Sequence, residues 1–500
     1  MLISIFCRTS HTYLLNQLKL DMEQIRKSLR DNKAARWTAL GIISITMFAG
    51  YFLTDVMSPL KPMLEDQFNW SSTNYGIFTS AYGWLNVFLL MLILGGIILD
   101  KMGVRFTGLM ASAIMVVGAS VKFWAISNPT LTTDLTFGIQ TQVLYASIGF
   151  AIFGVGVEIA GITVSKIIVK WFKGYEMALA MGMQMAVARM GTLLAMAAPV
   201  PLANFFESEH TIVADGTLVE RVAPSISAPI AFALVLLVIG FIAFFIYVAM
   251  DKKLDASEAQ LENKEEEEEF KFSDIGKIVA NKGFWLIAFL CVLFYSSVFP
   301  FIKYASDLMV NKYHVEQSLA GLIPSLLPLG TLFLTPIFGG IYDKKGKGAS
   351  MMILGAVLIV FVHSIFALPM FNYWMVAVVL VMILGVALSL VPSAMWPSVP
   401  KIIPENQLGT AFSLIFWIQN WGLMGVPLLI GYVLDQTNPE VLAAKAQLAK
   451  GMDVEVPLYD YTYPMMIFAG LGVLAIFVAF MLKAEDKKKG YGLQLPNIKS

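Results

Sequence analysis

The sequence predicts an all-α integral membrane protein with twelve transmembrane helices in two pseudo-symmetric six-helix bundles. Three observations predict it: an apolar composition, twelve stretches of spanning length, and a glycine-acid-base signature that occurs twice, about half a chain apart. Of 500 residues, 57% are hydrophobic and 14% charged, against roughly a quarter charged in a soluble domain, and the mean hydropathy is +0.71. Basic and acidic residues balance at 35 each, so net charge offers no argument for nucleic acid or another acidic partner. Cys7 and Cys291 are too few for a disulfide framework and lack metal-ligand spacing, so both read as incidental thiols.

Apolar stretches of the roughly 20 residues that a helix needs to cross hydrocarbon lie near 37–58, 75–99, 106–127, 139–168, 175–198, 229–250, 283–303, 318–341, 350–369, 374–399, 408–434 and 462–482. Lipid offers no partner for backbone polar groups, so these segments are expected to be helical. With the N-terminus cytoplasmic, that side carries roughly 27 basic residues and the other about 5, the asymmetry that sets orientation. An odd number of crossings would scatter the basic loops over both faces, so both termini are expected inside. The expected division is a cytoplasmic segment 1–36, a first bundle 37–250, an acidic cytoplasmic linker 251–282, a second bundle 283–482 and a tail 483–500.

The segment before Trp37 is basic, and its one apolar patch, Met1 to Phe6, is too short for a cleavable signal. Met22 is an alternative start. The linker contains the run Glu265 to Glu269 flanked by lysines, which reads as a solvated connection, with a regulatory partner site as the alternative.

An internal repeat appears at half the chain length. Gly95-Gly96-Ile97-Ile98-Leu99-Asp100-Lys101-Met102-Gly103-Val104-Arg105 follows the second span, and Gly339-Gly340-Ile341-Tyr342-Asp343-Lys344-Lys345-Gly346-Lys347-Gly348 follows the eighth. Glycine permits close helix approach, and an Asp at a span end can pair with a base or a helix N-terminus across the gap, making a latch that breaks and reforms. The alternative is a tight positive-inside turn without a gating role. The pattern resembles the signature loop of the major facilitator superfamily, whose two six-span halves rock about a central site. The candidate gating residues are therefore Gly96, Asp100, Lys101, Gly103, Arg105, Gly339, Asp343, Lys344 and Gly346. Gly348 stands where the first copy has Arg105, so the second latch is expected to be weaker.

Ionisable residues inside spans are costly and mark candidate sites. Glu158 lies 12 residues before Lys170, and Arg189 lies 16 after Lys173. At 1.5 Å per residue they stand about 18 and 24 Å from the intervening turn, both near mid-bilayer. An acid and a base at that depth suit a zwitterion, Arg189 clamping a carboxylate and Glu158 receiving an ammonium. A Glu158–Arg189 ion pair that simply joins two helices is the alternative. Asp55, near the outer end of the first span, is either interfacial or cavity-lining. Lys303 and Asp307, just after Pro300, read as gate or interface residues; Lys122 is expected to snorkel outward, and His363 to be packed or interfacial.

The resemblance sharpens around these residues. Phe153-Gly154-Val155-Gly156-Val157-Glu158, Trp171-Phe172-Lys173-Gly174, Gly182-Met183-Gln184 and Ala188-Arg189-Met190-Gly191 are similar to spans 4 and 5 of the superfamily branch of the lysosomal major facilitator superfamily domain-containing protein 1. Ala394-Met395-Trp396-Pro397-Ser398-Val399-Pro400, Pro404, Gln407-Leu408-Gly409-Thr410-Ala411 and Gln419-Asn420-Trp421-Gly422-Leu423 resemble its spans 10 and 11. The resemblance implies dipeptide uniport, with Glu158 and Arg189 gripping the peptide termini and Trp396 closing the site. A Trp beside Pro397 that only packs a bent helix is the alternative. Tyr295, Gln184 and Asn420 are candidate cavity residues from polarity and position alone.

The expected function is transport of small zwitterionic solutes, dipeptides foremost, by alternating access. The loops around Asp100 and Asp343 would hold the outward-facing state. Alternatives are an organic-anion antiporter and a non-transporting membrane sensor on the same fold. Proton coupling stays open, because Glu158 or Asp55 could carry a proton. No nucleotide loop, metal cluster or nucleophile-base pair is evident, so no enzyme activity, cofactor or ATP dependence is expected. The expected partners are a small-molecule substrate and the lipid bilayer, with the chain a monomer. Leu14-Leu15 lacks the upstream acid of a lysosomal sorting signal. A bacterial cell (inner) membrane is therefore expected, where an accessory glycoprotein of the lysosomal relative has no place. Asn69-Trp70-Ser71 is a formal glycosylation sequon and weak evidence by itself.

Overall fold

Hydropathy requires long helices, and the computed structural model is built from them. It describes residues 29–172, 175–214, 217–258, 272–404, 407–448, 452 and 454–496. Cys7, Leu14-Leu15, Met22 and the run Glu265 to Glu269 lie outside the described residues. Among the described residues, eleven helices are long and apolar enough to cross a membrane. One of them, Met91–Ile126, joins two crossings: Gly103 interrupts it at φ 74°, ψ 172°, a conformation that a glycine adopts without penalty. Twelve crossings result.

The first span is Lys33–Asp55, opened by Asn32, whose side chain accepts hydrogen bonds from the Ala34 and Ala35 amides. The second is broken: Ser72–Ser80, a 3-10 turn Ala81–Gly83, Trp84–Phe88, then the start of Met91–Ile126, whose remainder beyond Gly103 is the third. Spans four to six are Thr141–Phe172, Met177–Ala197 and Ser227–Glu258. The last six are Lys282–Tyr313, Leu322–Lys345, Gly348–Ala367, Trp374–Ile402, Leu408–Thr437 and Thr462–Lys489. The signature loops lie on one face, called here the loop face. The opposite face, where the first span ends, is the Asp55 face. It carries a short helix Lys61–Phe68, an antiparallel hairpin of Ser208–Ala214 with Thr217–Ala223, and a helix Pro439–Leu448.

The two sets of six spans meet at the Asp55 face through buried charge. Lys61 Nζ lies 2.7 Å from Asp307 and 2.6 Å from Glu65, and Lys445 Nζ lies 2.6 Å from the other Glu65 oxygen. Tyr461 also donates to Asp307. Asp435, near the end of the eleventh span, accepts from the Ser72 and Thr73 amides at 3.1 and 2.6 Å. A carboxylate at that helix start satisfies amides with no intrahelical partner and faces the positive end of its dipole. The expectation that Asp307 sits at a gate or interface meets this network.

At the loop face the two signature copies differ. In the first, Arg105 pairs with Asp251 and Asp255 at 3.5 and 2.7 Å, and Asp100 pairs with Lys166 at 3.1 Å. All of these partners belong to the first six spans, so these pairs tie the loop to its own half. Met102 is exposed, and open space faces Gly103, Gly339 and Gly340. In the second copy the C-terminal tail takes the arginine's place. The Lys347 and Gly348 amides donate to Gln494 O at 3.0 Å and Leu493 O at 2.9 Å, and Lys401 Nζ donates to the Gly492 and Leu495 carbonyls. Leu493 is completely buried.

The Asp55-face network makes two expectations testable. Lys61→Met strips two buried carboxylates of their shared cation, which costs about 3–5 kcal/mol. The expected readout is a larger wide-distance population than in the wild type between spin labels placed at exposed Asp66 and Glu316 on that face. For the Glu65 carboxyl, burial would raise the pKa, but Lys61 and Lys445 outweigh it and hold the group below the usual range. Its stabilising share is therefore present above the unfolded value of about 4.3 and is lost only as pH falls through the lower folded value. The same distances should stay unchanged from neutral pH to mild acid, and widen only in stronger acid.

Candidate substrate cavity

Between the two halves lies a cavity of about 330 Å³, at the small end of the usual size for ligand pockets. Its Asp55-face end is closed by Asp55 itself: Lys303 Nζ, from the seventh span, stands 2.5 Å from the Asp55 carboxylate and 2.6 Å from Thr54 O. Both side chains line the cavity. Asp55 is thus cavity-lining and paired at once, and Lys303 is both its partner and part of the wall. At the other end Ser165, exposed and next to Lys166, lines the wall.

Glu158 and Arg189 share this cavity. Local sequence explains Glu158's position. Gly154 sits one turn earlier on the fourth span, where a Cβ would meet Tyr82 O at 2.3 Å, so the span can press against the broken second span. Glu158 Oε1 then accepts a hydrogen bond from Tyr82 OH at 2.8 Å. Arg189 lies with its guanidinium carbon 5.8 Å from the centre of the Tyr51 ring and 5.5 Å from that of Phe299. Among the described residues no ion pair joins Glu158 to Arg189. The helix-joining pair is therefore absent in this conformation, and a cation and an anion with only neutral neighbours face one space.

An aromatic series continues from Arg189. Tyr295 stacks on Phe299 at 5.3 Å between ring centres, and Trp396 Nε1 donates to Tyr295 OH at 3.1 Å. Trp396 also packs on Phe416, 5.1 Å away, and lines the cavity. Trp396 thus packs beside Pro397 and also stands at the cavity wall. Gln184 lines the wall as well. Thr192 adds a buried hydroxyl without a protein partner.

Two expectations meet a different outcome, and one residue of the wall was not foreseen. Asn420 is fully buried and the adjacent Gln419 takes the lining position, yet the Asn420 side chain reaches the site from behind the wall: Nδ2 donates to Phe416 O at 3.0 Å and the amide hydrogen-bonds Glu158. One residue's step turns a helical side chain by about 100°, which polarity alone does not resolve. Lys122 does not snorkel outward: it is completely buried, its Nζ 3.3 Å from Leu53 O and over the Phe78 and Phe150 rings. Tyr82 escaped the sequence reading. Its signal was the Gly83 interruption in the second span, since broken helices in membrane proteins occur where they line a cavity. His363 is a packed histidine, buried among Phe301, Phe366 and Phe468 with Nε2 3.0 Å from Ser297 O.

The comparisons agree with this architecture. The Major Facilitator Superfamily model matches residues 43–427, and again 302–494. The lysosomal dipeptide transporter MFSD1 of Bos taurus is 27% identical over 408 residues, 80% of each chain. Its Homo sapiens counterpart is 26% identical over 407, again 80% of each. Among solved structures, a bacterial homologue of the human lysosomal transporter Spinster, inward-facing and occupied, aligns with a TM-score of 0.63 at 13% identity, covering 91% of this chain and 98% of that one. The D-xylose-proton symporter aligns with a TM-score of 0.61 at 14% identity, covering 89% and 97%. Likeness at such identity concerns the fold. The family match spans more than half the chain, which therefore belongs to the Major Facilitator Superfamily and is a multi-pass membrane transporter, not an enzyme.

Proposed function

We propose that this transporter carries small zwitterionic solutes, dipeptides foremost, by alternating access. One observation carries the reading: Arg189 and Glu158 face a single cavity without pairing with each other. Arg189 presents a planar fork that can take a carboxylate in two parallel hydrogen bonds. Glu158, held by the neutral Tyr82 hydroxyl, is the acceptor for an ammonium. Trp396, Tyr295 and Phe299 provide apolar walls for side chains, and Gln184, Gln419 and Thr192 offer hydrogen bonds to a peptide unit. The similarity to the lysosomal dipeptide transporters points the same way.

In this reading the structure is the state closed at the Asp55 face. The loops around Asp100 and Asp343, with Lys101 and Lys344 beside them, are the candidate contacts of the opposite state. The basic loop face is the cytoplasmic one, which puts both termini there, in a cell membrane. A second reading rests on the same free guanidinium: an organic-anion carrier in which Arg189 alone binds cargo. It is favoured by a 28% identity over 150 residues to a probable anion transporter, chloroplastic, of Oryza sativa subsp. japonica.

Thermal stabilisation of the purified protein by dipeptides, single amino acids and dicarboxylates separates the two. Dipeptides are expected to stabilise the wild type. Glu158→Gln and Arg189→Ala should each weaken dipeptide binding about 10- to 100-fold, the worth of one charge-assisted hydrogen-bonding group. Stabilisation by dicarboxylates, with none by dipeptides, would sink the zwitterion reading. In liposomes loaded with dipeptide, Trp396→Ala should slow exchange more than it weakens binding, since Trp396 closes the wall without carrying charge. Equal losses in both would remove that role.

A further inference from the structure

Span 1 ends at the Asp55 face with an accumulation of negative potential. The last carbonyls of a helix lack intrahelical partners and carry the negative end of its dipole, and here the Asp55 carboxylate adds a full charge. Two lysines meet this end. Lys303, from the seventh span, holds Thr54 O at 2.6 Å and Asp55 Oδ1 at 2.5 Å. Lys122, from the third span, holds Leu53 O at 3.3 Å.

The two lysines differ in what else they touch and in which half carries them. Lys122 is wholly buried, and beyond that one carbonyl its ammonium meets only aromatic faces, Phe150 at 4.7 Å and Phe78 at 5.2 Å. Among the described residues no carboxylate pairs with it. Keeping an ammonium there without an anion is costly, so a packing role alone does not explain a lysine at this position. Its backbone is pinned to its own half. A Cβ at Gly149 would meet the Lys122 amide nitrogen at 2.5 Å, and one at Gly118 would meet Phe153 N at 2.3 Å, so spans 3 and 4 touch backbone to backbone at this level. Lys303 belongs to the opposite half and leaves with it whenever the Asp55 face opens.

We infer that Lys122 is the standby partner of Asp55: a positioning residue that takes over the carboxylate when Lys303 withdraws. The inference rests on the alternating-access reading. Asp55 is the last residue of the helix, two beyond Leu53, about 3 Å further along the axis and about 200° round it; its charge already acts on Lys122, and the hand-off requires the four-carbon lysine stem to swing round the helix end. In the state closed at the Asp55 face, Asp55 belongs to Lys303 and Lys122 rests on the stacked Phe78 and Phe150 rings, 4.9 Å apart. In the open state Lys122 pairs with Asp55, so the acid keeps a cationic partner in both states and the two stay close in free energy.

The test is the distribution of distances between spin labels at Asp66→Cys and Glu316→Cys, in full-length protein lacking the native thiols and reconstituted in lipid nanodiscs. In the wild type both short and long distances are expected. Lys122→Gln, which keeps a donor for Leu53 O but no charge, should deplete the long-distance, open population about tenfold, and Lys122→Met likewise. Lys122→Arg should retain it. In an Asp55→Asn background, where no acid needs a partner, Lys122→Gln should change nothing. An open population that survives Lys122→Gln, or falls equally with and without Asp55, overturns the hand-off alone. A wild type that never shows the long distance under any ligand condition overturns the rocking mechanism and the hand-off with it.

Discussion

Three ion pairs between the two halves, Asp55–Lys303, Lys61–Asp307 and Lys445–Glu65, are the constraint on which this conformation depends. They are largely removed from water. Each carboxylate is less than a tenth exposed, so every partner is needed to offset the desolvation of the other. Such contacts favour a two-position device over a permanent join. A buried pair is strong when its geometry is met and penalises intermediate separations, which suits a seal that is either made or absent. Asp435 on the Ser72 and Thr73 amides extends the same logic to a helix end.

The seal also decides what the cavity can be. Closing one end with Asp55 and Lys303 leaves the wall at Glu158 and Arg189 as the place where unpaired charge of both signs is available. The broken second span brings Tyr82 to Glu158, and the fifth span lays Arg189 against Tyr51 and Phe299. Aromatic faces attract the guanidinium without competing for its fork as a carboxylate would. The guanidinium at the cavity wall need not be pulled from a salt bridge with Glu158 before it takes another partner.

Repetition of the signature does not mean repetition of its chemistry. Arg105 ties the first loop to Asp251 and Asp255 at the end of the sixth span. Where the second loop has Gly348, the backbone of residues 492–495 lies against it and hydrogen bonds replace charges. The glycine at this position makes room for the tail, since a Cβ at Gly348 would meet Leu493 O at 2.8 Å.

The sequence by itself determined the number of crossings, the all-α class, the two signature loops and the placing of Glu158 and Arg189 within spans. Lipid imposes helix and spanning length, and a helix advances by a fixed rise, so count and position along a span are one-dimensional quantities readable from residue order. Direction around the helix axis is another matter. Whether residue 419 or 420 faces the cavity, whether Lys122 points to lipid or inward, and that Tyr82 meets Glu158 depend on how closely neighbouring spans approach and at what rotation. The seal was equally illegible: Lys61 and Asp307 are 246 residues apart and Lys445 and Glu65 are 380, and no local pattern links charges on separate loops and spans. Only the tertiary structure decided these partners, because a buried charge is specified by what packing brings against it and not by its neighbours in the chain.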